Sequence, residues 1–242
     1  MSATGKELGK EAARGSESGR AEAFGTFLAE RWSCRAFLPR AVDRPTIERI
    51  LALAQRTASW CNAQPWQVIV TSGMGTERFR EAVLPHAASA EAPRPDFAFP
   101  REYPGVYLSR RRACGFQLYD SVGIARGDRQ ASARQTLENY RLFGAPHVAI
   151  VTTPEALGVY GAIDCGAYVS NFVLAARSLG VASIAQAALA AYPDIVRKHF
   201  GLPDDRWVVC GIAFGYADGE HPVNRFRTDR AALDEVVTWV ER

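Results

Sequence analysis

Three side chains near the start of the chain could together hold an anion. Arg31, Ser33 and Arg35 alternate along the sequence, so in an extended segment all three would point to the same side. Two guanidinium groups and a hydroxyl on one face provide paired hydrogen-bond donors that match the oxygens of a phosphate. The same spacing also fits a capped strand edge with solvated arginines, so this pattern alone leaves both interpretations open.

A second polar segment follows about thirty residues later. Asn62 and Gln64 stand directly before Pro65 and Trp66. An amide side chain can donate and accept hydrogen bonds, which suits a ring that carries carbonyl and N–H groups. Proline would fix the backbone where the chain leaves a helix for a strand. A polar helix end beside a buried tryptophan is the alternative, but the presence of both segments in one chain favours a shared ligand.

Apolar residues at helical or strand spacing predict the elements that would position these segments. The predicted helices are 24–30, one that begins at Asp43, 77–84, 110–124, 131–143, 161–179, 194–200 and a closing helix through Leu233, Val236, Val237 and Val240. The predicted strands are 66–71, 147–152, 182–188 and 207–214. Because long helices outnumber strands, the pattern indicates an α+β fold.

Two stretches depart from regular spacing. Residues 1–22 are rich in glycine, serine and charged side chains, which predicts a mobile N-terminal arm ahead of a single domain over 23–242. An irregular excursion is predicted at about 85–125. Its first part, 85–107, combines five prolines with four aromatic residues. This part is too aromatic for a linker, so we expect an ordered excursion that could form a lid.

Composition argues against several classes of protein. The net charge is +3 and the basic residues are scattered, which argues against nucleic acid as a partner. The run Arg110 to Arg112 could face an anion, but runs of charge are usually solvated, so a solvated helix turn is favoured. We find no run of the roughly 18–20 apolar residues that cross a membrane and no secretory signal, so a cytoplasmic protein is expected. The five cysteines and four histidines are isolated, which predicts no disulfide frame and no metal site.

The two polar segments together resemble the signature of the FMN-dependent nitroreductase family. In that family an Arg-x-Ser-x-Arg/Lys run precedes a helix that ends in Asn-x-Gln-Pro-Trp. The resemblance extends over 31–242, through Gly201-Leu202-Pro203 before a strand and through Arg227-Thr228-Asp229-Arg230 near the end. Two departures are Trp32, where the family commonly has a second arginine, and Ala58, where it commonly has proline.

The resemblance implies a fold, a cofactor and an activity. The fold would be a central, mostly antiparallel sheet flanked by helices, in an intertwined homodimer with FMN at the interface. The helix 161–179 and the C-terminal segment are the candidates for the dimer core. NAD(P)H would reduce FMN, which would then reduce a nitroaromatic, nitrobenzoate-like or related electron-poor acceptor by ping-pong hydride transfer. The chemistry would be borne by the flavin, so no catalytic protein residue is expected.

The resemblance also assigns site residues. Arg31, Ser33 and Arg230 would bind the FMN phosphate, and Arg35 would lie at the N1/O2 edge of the ring, where a positive charge stabilises the reduced flavin. The full set of cofactor-binding candidates is Arg31, Trp32, Ser33, Arg35, Ser59, Asn62, Gln64, Asn139, Arg141, Ala185, Gln186, Ala187, Arg227 and Arg230. The substrate-binding candidates are Trp60, Phe97, Phe99, Tyr103 and Arg110.

Several alternatives keep the same fold. A reductive dehalogenase or an enone reductase would use the same cofactor on another acceptor. A redox-inert module that only binds FMN would show slow or no NAD(P)H oxidation, and a structural protein without cofactor would gain no stability from FMN. Trp60 has its own alternative, a contact with the neighbouring subunit.

Overall fold

A four-stranded antiparallel sheet lies at the centre of the chain, for which this computed structural model describes residues 18–89 and 91–241. The strands are β1 (Gln67–Val70), β2 (His147–Pro154), β3 (Ala182–Gln186) and β4 (Arg206–Gly215), in the order β1-β2-β4-β3. The helices are α1 (18–30), α2 (Arg44–Ala54), α3 (Met74–Ala88), α4 (Val106–Ser121), α5 (Arg129–Leu137), α6 (Gly158–Ser178) and α7 (Pro193–Phe200). The α+β architecture predicted from the sequence is confirmed.

The sheet is covered on both faces because the middle parts of its central strands, β2 and β4, carry apolar residues on both sides. Along β2, Val148 and Ile150 belong to one apolar core and Ala149 and Val151 to the other. This alternation follows from the two-residue period of a strand. Helices α3 and α7 contribute to the first core, and α2 and α6 contribute to the second. The sheet therefore forms the middle layer between two layers of helices.

The helix ends follow recognisable local signals. Asp43 caps α2, because its carboxylate accepts a hydrogen bond from the backbone N–H of Thr46 at 2.9 Å, and Pro45 occupies the first turn. Helix α7 ends before Gly201, which adopts the left-handed conformation with φ of 65°. Both boundaries agree with the sequence predictions.

The predicted closing helix is wrong. Leu233–Glu235 forms a single 3-10 turn, and the residues after it have no regular structure. Trp239 is 75% exposed and Val240 is 83% exposed. A short apolar helix is stable only when its apolar face is packed, and the described part of this chain does not cover the segment.

Three other predicted bounds shift. Helix α1 already begins at residue 18, so residues 18–22 of the predicted arm are helical, and the rest of the arm lies outside the described residues. Helix α3 continues through Pro85 to Ala88, and α4 occupies much of the predicted excursion. Helix α5 stops at Leu137, well before Phe143, where the backbone is left-handed with φ of 53°.

One helix is long and apolar enough to cross a membrane, judged by length and composition only. It comprises α6 and the turn before it, Glu155–Ser178, although no segment of this kind was expected from the sequence. A core helix passes the same test. In this chain Cys165, Tyr168 and Phe172 of α6 pack in the core shared with the sheet, which accounts for its apolar character.

Candidate functional site

A cavity of about 270 Å³ lies where the 31–35 segment meets the 226–230 segment. We call it the anion pocket, because basic side chains dominate its wall. It is lined by Leu28, Ala29, Arg31, Trp32, Ser33, Arg35, Cys114, Phe226, Arg227, Thr228 and Arg230. The structure thus brings together six residues predicted from two distant segments: Arg31, Trp32, Ser33, Arg35, Arg227 and Arg230.

Backbone contacts hold the 31–35 segment against the sheet. Ser33 forms a parallel bridge with Ser183 at the start of β3, and the Cys34 N–H donates to the Ser183 carbonyl at 3.1 Å. Asn224, which is 5% exposed, accepts from the Arg35 N–H and donates to the Ala36 carbonyl, both at 2.8 Å. Sequence reasoning missed Asn224, and its only signal is one amide in a turn after proline.

The electrostatics of the anion pocket favour a bound anion. Burial lowers the pKa of Arg31, and the nearby Arg230 lowers it further. Burial also lowers the pKa of Arg35. Neither guanidinium has a carboxylate partner among residues 18–89 and 91–241. Desolvated cations that face each other are stabilised when a multivalent anion lies between them.

Two of these predicted residues, Trp32 and Arg227, contact each other within the wall. The Arg227 guanidinium stacks over the Trp32 ring, 4.3 Å from its centroid, and donates to the Asn224 carbonyl at 2.8 Å. Trp32 therefore supports the Arg227 guanidinium from the side of its ring.

The turn after α5 forms a second wall, and Gln186 at the end of β3 contacts this turn. The Gln186 Nε2 donates to the Asn139 carbonyl at 2.8 Å. Gln186 is 2% exposed, and its Oε1 has no partner among the described residues. Arg141 pairs with Glu138 at 2.7 Å and lines, together with Arg35, a neighbouring cavity of about 530 Å³. Arg35 borders both cavities, so it connects the anion pocket to this wall.

The segment 59–64, here called the 59–64 loop, has a strained backbone. Cys61, Asn62 and Gln64 have φ values of 50°, 56° and 48°. A residue other than glycine in this region costs of order 1–3 kcal/mol, so other contacts must hold the loop. The Gln64 N–H donates to Ser59 Oγ at 2.9 Å, and the Gln64 Nε2 donates to Asn62 Oδ1 at 3.0 Å. Three predicted site residues thus bond to one another.

Within one chain, the 59–64 loop lies far from the anion pocket. Gln67, where the loop enters β1, is level with Val208 of β4, whereas Ser183 beside the pocket is level with Phe214. These points are three strands apart across the sheet, about 14 Å, and six residues apart along it, about 20 Å. The cavity wall contains none of the loop residues.

The five predicted substrate residues do not form one cluster. Trp60 is 57% exposed and meets the Tyr160 ring edge-on at 4.2 Å. Phe97 packs edge-on against Trp207 at the start of β4, which is far from the anion pocket. The other three are exposed to different degrees on the excursion and α4: Phe99, Tyr103 and Arg110.

Tyr103 and Arg110 lie closest to the pocket. They line one shallow cavity, where the Arg111 guanidinium stacks on the Tyr103 ring at 5.1 Å. Arg110 pairs with Glu235 at 3.1 Å and, with Cys114, also lines a cavity beside Arg230. Cys114 was not predicted, and a single cysteine on a helix gives no sequence signal for such a position.

Among the described residues, no group of three His, Cys, Asp or Glu side chains is placed to hold a metal ion.

Comparisons with known proteins agree on one family. The family model described as Nitroreductase family matches residues 28–216. The nitroreductase NfnB of Mycolicibacterium smegmatis is 37% identical over 221 residues, which cover 90% of this chain and 93% of that protein. A 4-nitrobenzoate reductase of Nocardioides sp. is 32% identical over 223 residues, which cover 90% of each chain.

Comparison of the fold with solved structures identifies the same family. The crystal structure of the FMN-dependent nitroreductase NfnB from Mycobacterium smegmatis in complex with NADPH superposes with a TM-score of 0.87 and 35% sequence identity. The superposition covers 91% of this chain and 99% of that chain.

Proposed function

Because the chain belongs to the nitroreductase family, we propose that it is an FMN-dependent oxidoreductase that uses NAD(P)H to reduce nitroaromatic or related electron-poor compounds. The single observation that carries the proposal is the anion pocket, where Arg31, Ser33, Arg227 and Arg230 converge without a carboxylate partner in the described chain. Relatives named as nitroreductases and as a 4-nitrobenzoate reductase support the class of acceptor.

The residues of the site fit FMN. Guanidinium groups and a serine hydroxyl around the anion pocket match a phosphate dianion. The orphaned Oε1 of buried Gln186 is an acceptor that a ring N–H would satisfy, since an unpaired buried acceptor is costly. Arg35 lies between the two walls and would be held at the N1/O2 edge of the ring. When bound, FMN supplies the two-electron redox chemistry that links NAD(P)H to the acceptor.

The chain's own residues would orient the ring and stabilise charge. Arg31, Ser33 and Arg230 would hold the phosphate, and this contact would fix the cofactor along the 31–35 segment. Arg35 would stabilise negative charge that develops at the ring edge, because a preorganised buried cation needs little reorganisation during the reaction. No protein nucleophile is needed, because the flavin would carry the redox chemistry.

The site further requires a second copy of the chain. The 59–64 loop is about 20 Å or more from the anion pocket within one chain, yet Asn62 and Gln64 belong to the proposed cofactor set. The loop and the neighbouring part of α6 are exposed. A homodimer that brings the loop of one chain to the anion pocket of the other would unite both segments.

Flavin spectroscopy tests the proposal. Protein purified with FMN should show flavin absorption that NADH or NADPH bleaches and that a nitroaromatic acceptor restores, with 4-nitrobenzoate and nitrobenzene compared. A protein that binds FMN but is not bleached would be a redox-inert FMN-binding module. A protein that neither binds nor is stabilised by FMN would overturn the proposal.

A pair of arginine variants locates the cofactor. Arg31→Ala should raise the Kd for FMN by about 10- to 100-fold, since a charge-assisted hydrogen bond contributes about 1.5–3 kcal/mol. Arg44→Ala is the matched control, because Arg44 only forms an exposed pair with Glu48 on α2, and its Kd should be that of the wild type. Equal affinities for the two variants would place FMN elsewhere.

A further inference from the structure

Helix α6 is mostly apolar and carries a single acidic residue, Asp164. Asp164 is 9% exposed, and a buried carboxylate is unfavourable unless it is hydrogen-bonded. Its partner lies outside the helix: both carboxylate oxygens accept from the backbone N–H of Trp60 at 3.2 Å. The residue therefore connects α6 to the start of the 59–64 loop.

Two neighbours on α6 reinforce this connection. Tyr160 and Asn171 lie one turn before and two turns after Asp164, so all three share one face of the helix. The Tyr160 ring meets the Trp60 indole at 4.2 Å. The Asn171 Nδ2 donates to Thr57 Oγ1 at 2.7 Å. This face of α6 attaches the chain at Thr57 and again at Trp60, immediately before the strained residues.

Few other contacts fix the start of the 59–64 loop relative to the rest of the chain. Its internal hydrogen bonds join Gln64 to Ser59 and Asn62, but they do not fix the loop relative to the rest of the chain. At its exit, the Gln55 Nε2 donates to Gln64 Oε1 at 3.0 Å. At its entry, the backbone is held by Asp164. Removal of that bond would let the loop relax toward unstrained φ values and move the amides of Asn62 and Gln64.

We propose that Asp164 is a positioning residue for FMN binding: its carboxylate fixes the Trp60 backbone, so that the 59–64 loop presents Asn62 and Gln64 to the flavin. The inference rests on the proposed function, because it assumes that the loop meets FMN. Asp164 itself would not touch the cofactor.

The test compares FMN affinity with the stability of the apoprotein. Asp164→Leu places an apolar residue of similar size on an apolar helix, a change that is often neutral or stabilising for folding. We expect the Tm of the apoprotein to stay the same or rise, while the Kd for FMN, measured by quenching of flavin fluorescence, rises about tenfold. Asp164→Asn keeps an oxygen acceptor at the same place and should restore the Kd to within about threefold of the wild type.

Asp43→Ala is the matched control, since Asp43 is also an aspartate that accepts from a backbone N–H, that of Thr46 at 2.9 Å. It should lower the Tm and leave the Kd for FMN unchanged.

If wild-type protein binds FMN and Asp164→Leu binds it equally well, the positioning role is overturned while the proposed function stands. If wild-type protein does not bind FMN, both are overturned. Asp164→Ala replaces Asp164→Leu if the latter does not fold, and failure of both to fold would indicate a purely structural role.

Discussion

His147 shows how a single buried side chain can link stability to pH. It is 1% exposed at the start of β2, and its Nε2 accepts from the Val42 N–H at 2.9 Å. Its Nδ1 lies 3.1 Å from the Thr71 carbonyl, to which it can donate. These partners fit the neutral ring, and burial lowers the pKa of His147 below its ordinary value of 6.5.

The lowered pKa of His147 makes the free energy of unfolding depend on pH. Below pH 6.5 the unfolded chain binds a proton at His147 that the folded chain resists, so the free energy of unfolding falls as the pH falls. The slope contributed by this residue is at most about 1.4 kcal/mol per pH unit. We expect His147→Gln, which cannot take up the proton, to show a shallower loss between about pH 6.5 and pH 5.

Urea unfolding at several pH values, with the two proteins compared at each, checks this prediction. His199 also has a lowered pKa, through burial and the nearby Arg78, but it is present in both proteins and cancels in the difference. Identical slopes for wild type and His147→Gln would contradict the role of His147.

Helix α6 is the element on which most of the architecture depends. It packs on the sheet through a close approach at Gly161, where a Cβ would lie 2.5 Å from Thr153 Oγ1 and 3.0 Å from Leu157 Cβ. Thr153 Oγ1 is buried on β2, so neither the strand nor the helix can move away without disturbing the core. The glycine is required here by contact, since its φ is not in the left-handed region.

Gly161→Ala should therefore lower the free energy of unfolding by about 1–3 kcal/mol, the usual effect of overpacking, although alanine favours helix. Gly115→Ala in α4 is the control, because nothing lies within 4 Å of the added Cβ. That change should stabilise the protein by up to about 1 kcal/mol. Chemical denaturation gives both values, and a Gly161→Ala protein as stable as Gly115→Ala would show that the helix can shift.

The sequence predicted these elements well where the apolar pattern was strong, as in the helical spacing of α2 and the nearly continuous apolar runs of α6 and β2, because their packing follows from that pattern. It failed at Leu233 to Val240, since an apolar segment does not reveal whether anything in the same chain covers it. It also failed at Phe143, whose left-handed backbone has no local signal. Asp164 was overlooked, although one acid in an apolar helix is a visible signal.

At the scale of the whole molecule, the exposed apolar surface indicates association. Ile163 on α6 and Phe24 on α1 are 58% and 57% exposed. Large apolar side chains that stay exposed within one chain are candidates for a contact surface, and stable homodimers bury large apolar areas. The pairing of the two sequence motifs could not be predicted from spacing alone, because the segments are neighbours along the chain but lie at opposite edges of the sheet.

We expect the wild-type protein to have twice its chain mass of 26.5 kDa in solution. Ile163→Glu should shift it toward the single-chain mass at low micromolar concentration and weaken FMN binding, because a charge in the contact would be desolvated. Met74→Glu is the control, since Met74 is also exposed but begins α3 on the other face of the sheet. Light scattering after gel filtration measures the mass, and a dimeric Ile163→Glu protein would contradict the assigned interface.

The separation of Arg31 from the 59–64 loop has a genetic consequence. If each site takes its phosphate donors from one chain and its loop from the other, an Arg31→Ala chain and an Asn62→Ala chain are defective in different halves of the site. Each homodimer would then have two impaired sites, whereas a mixed dimer would have one intact site and one doubly impaired site. Two inactive alleles expressed together should therefore complement one another and recover up to about a quarter of wild-type activity when the chains pair at random.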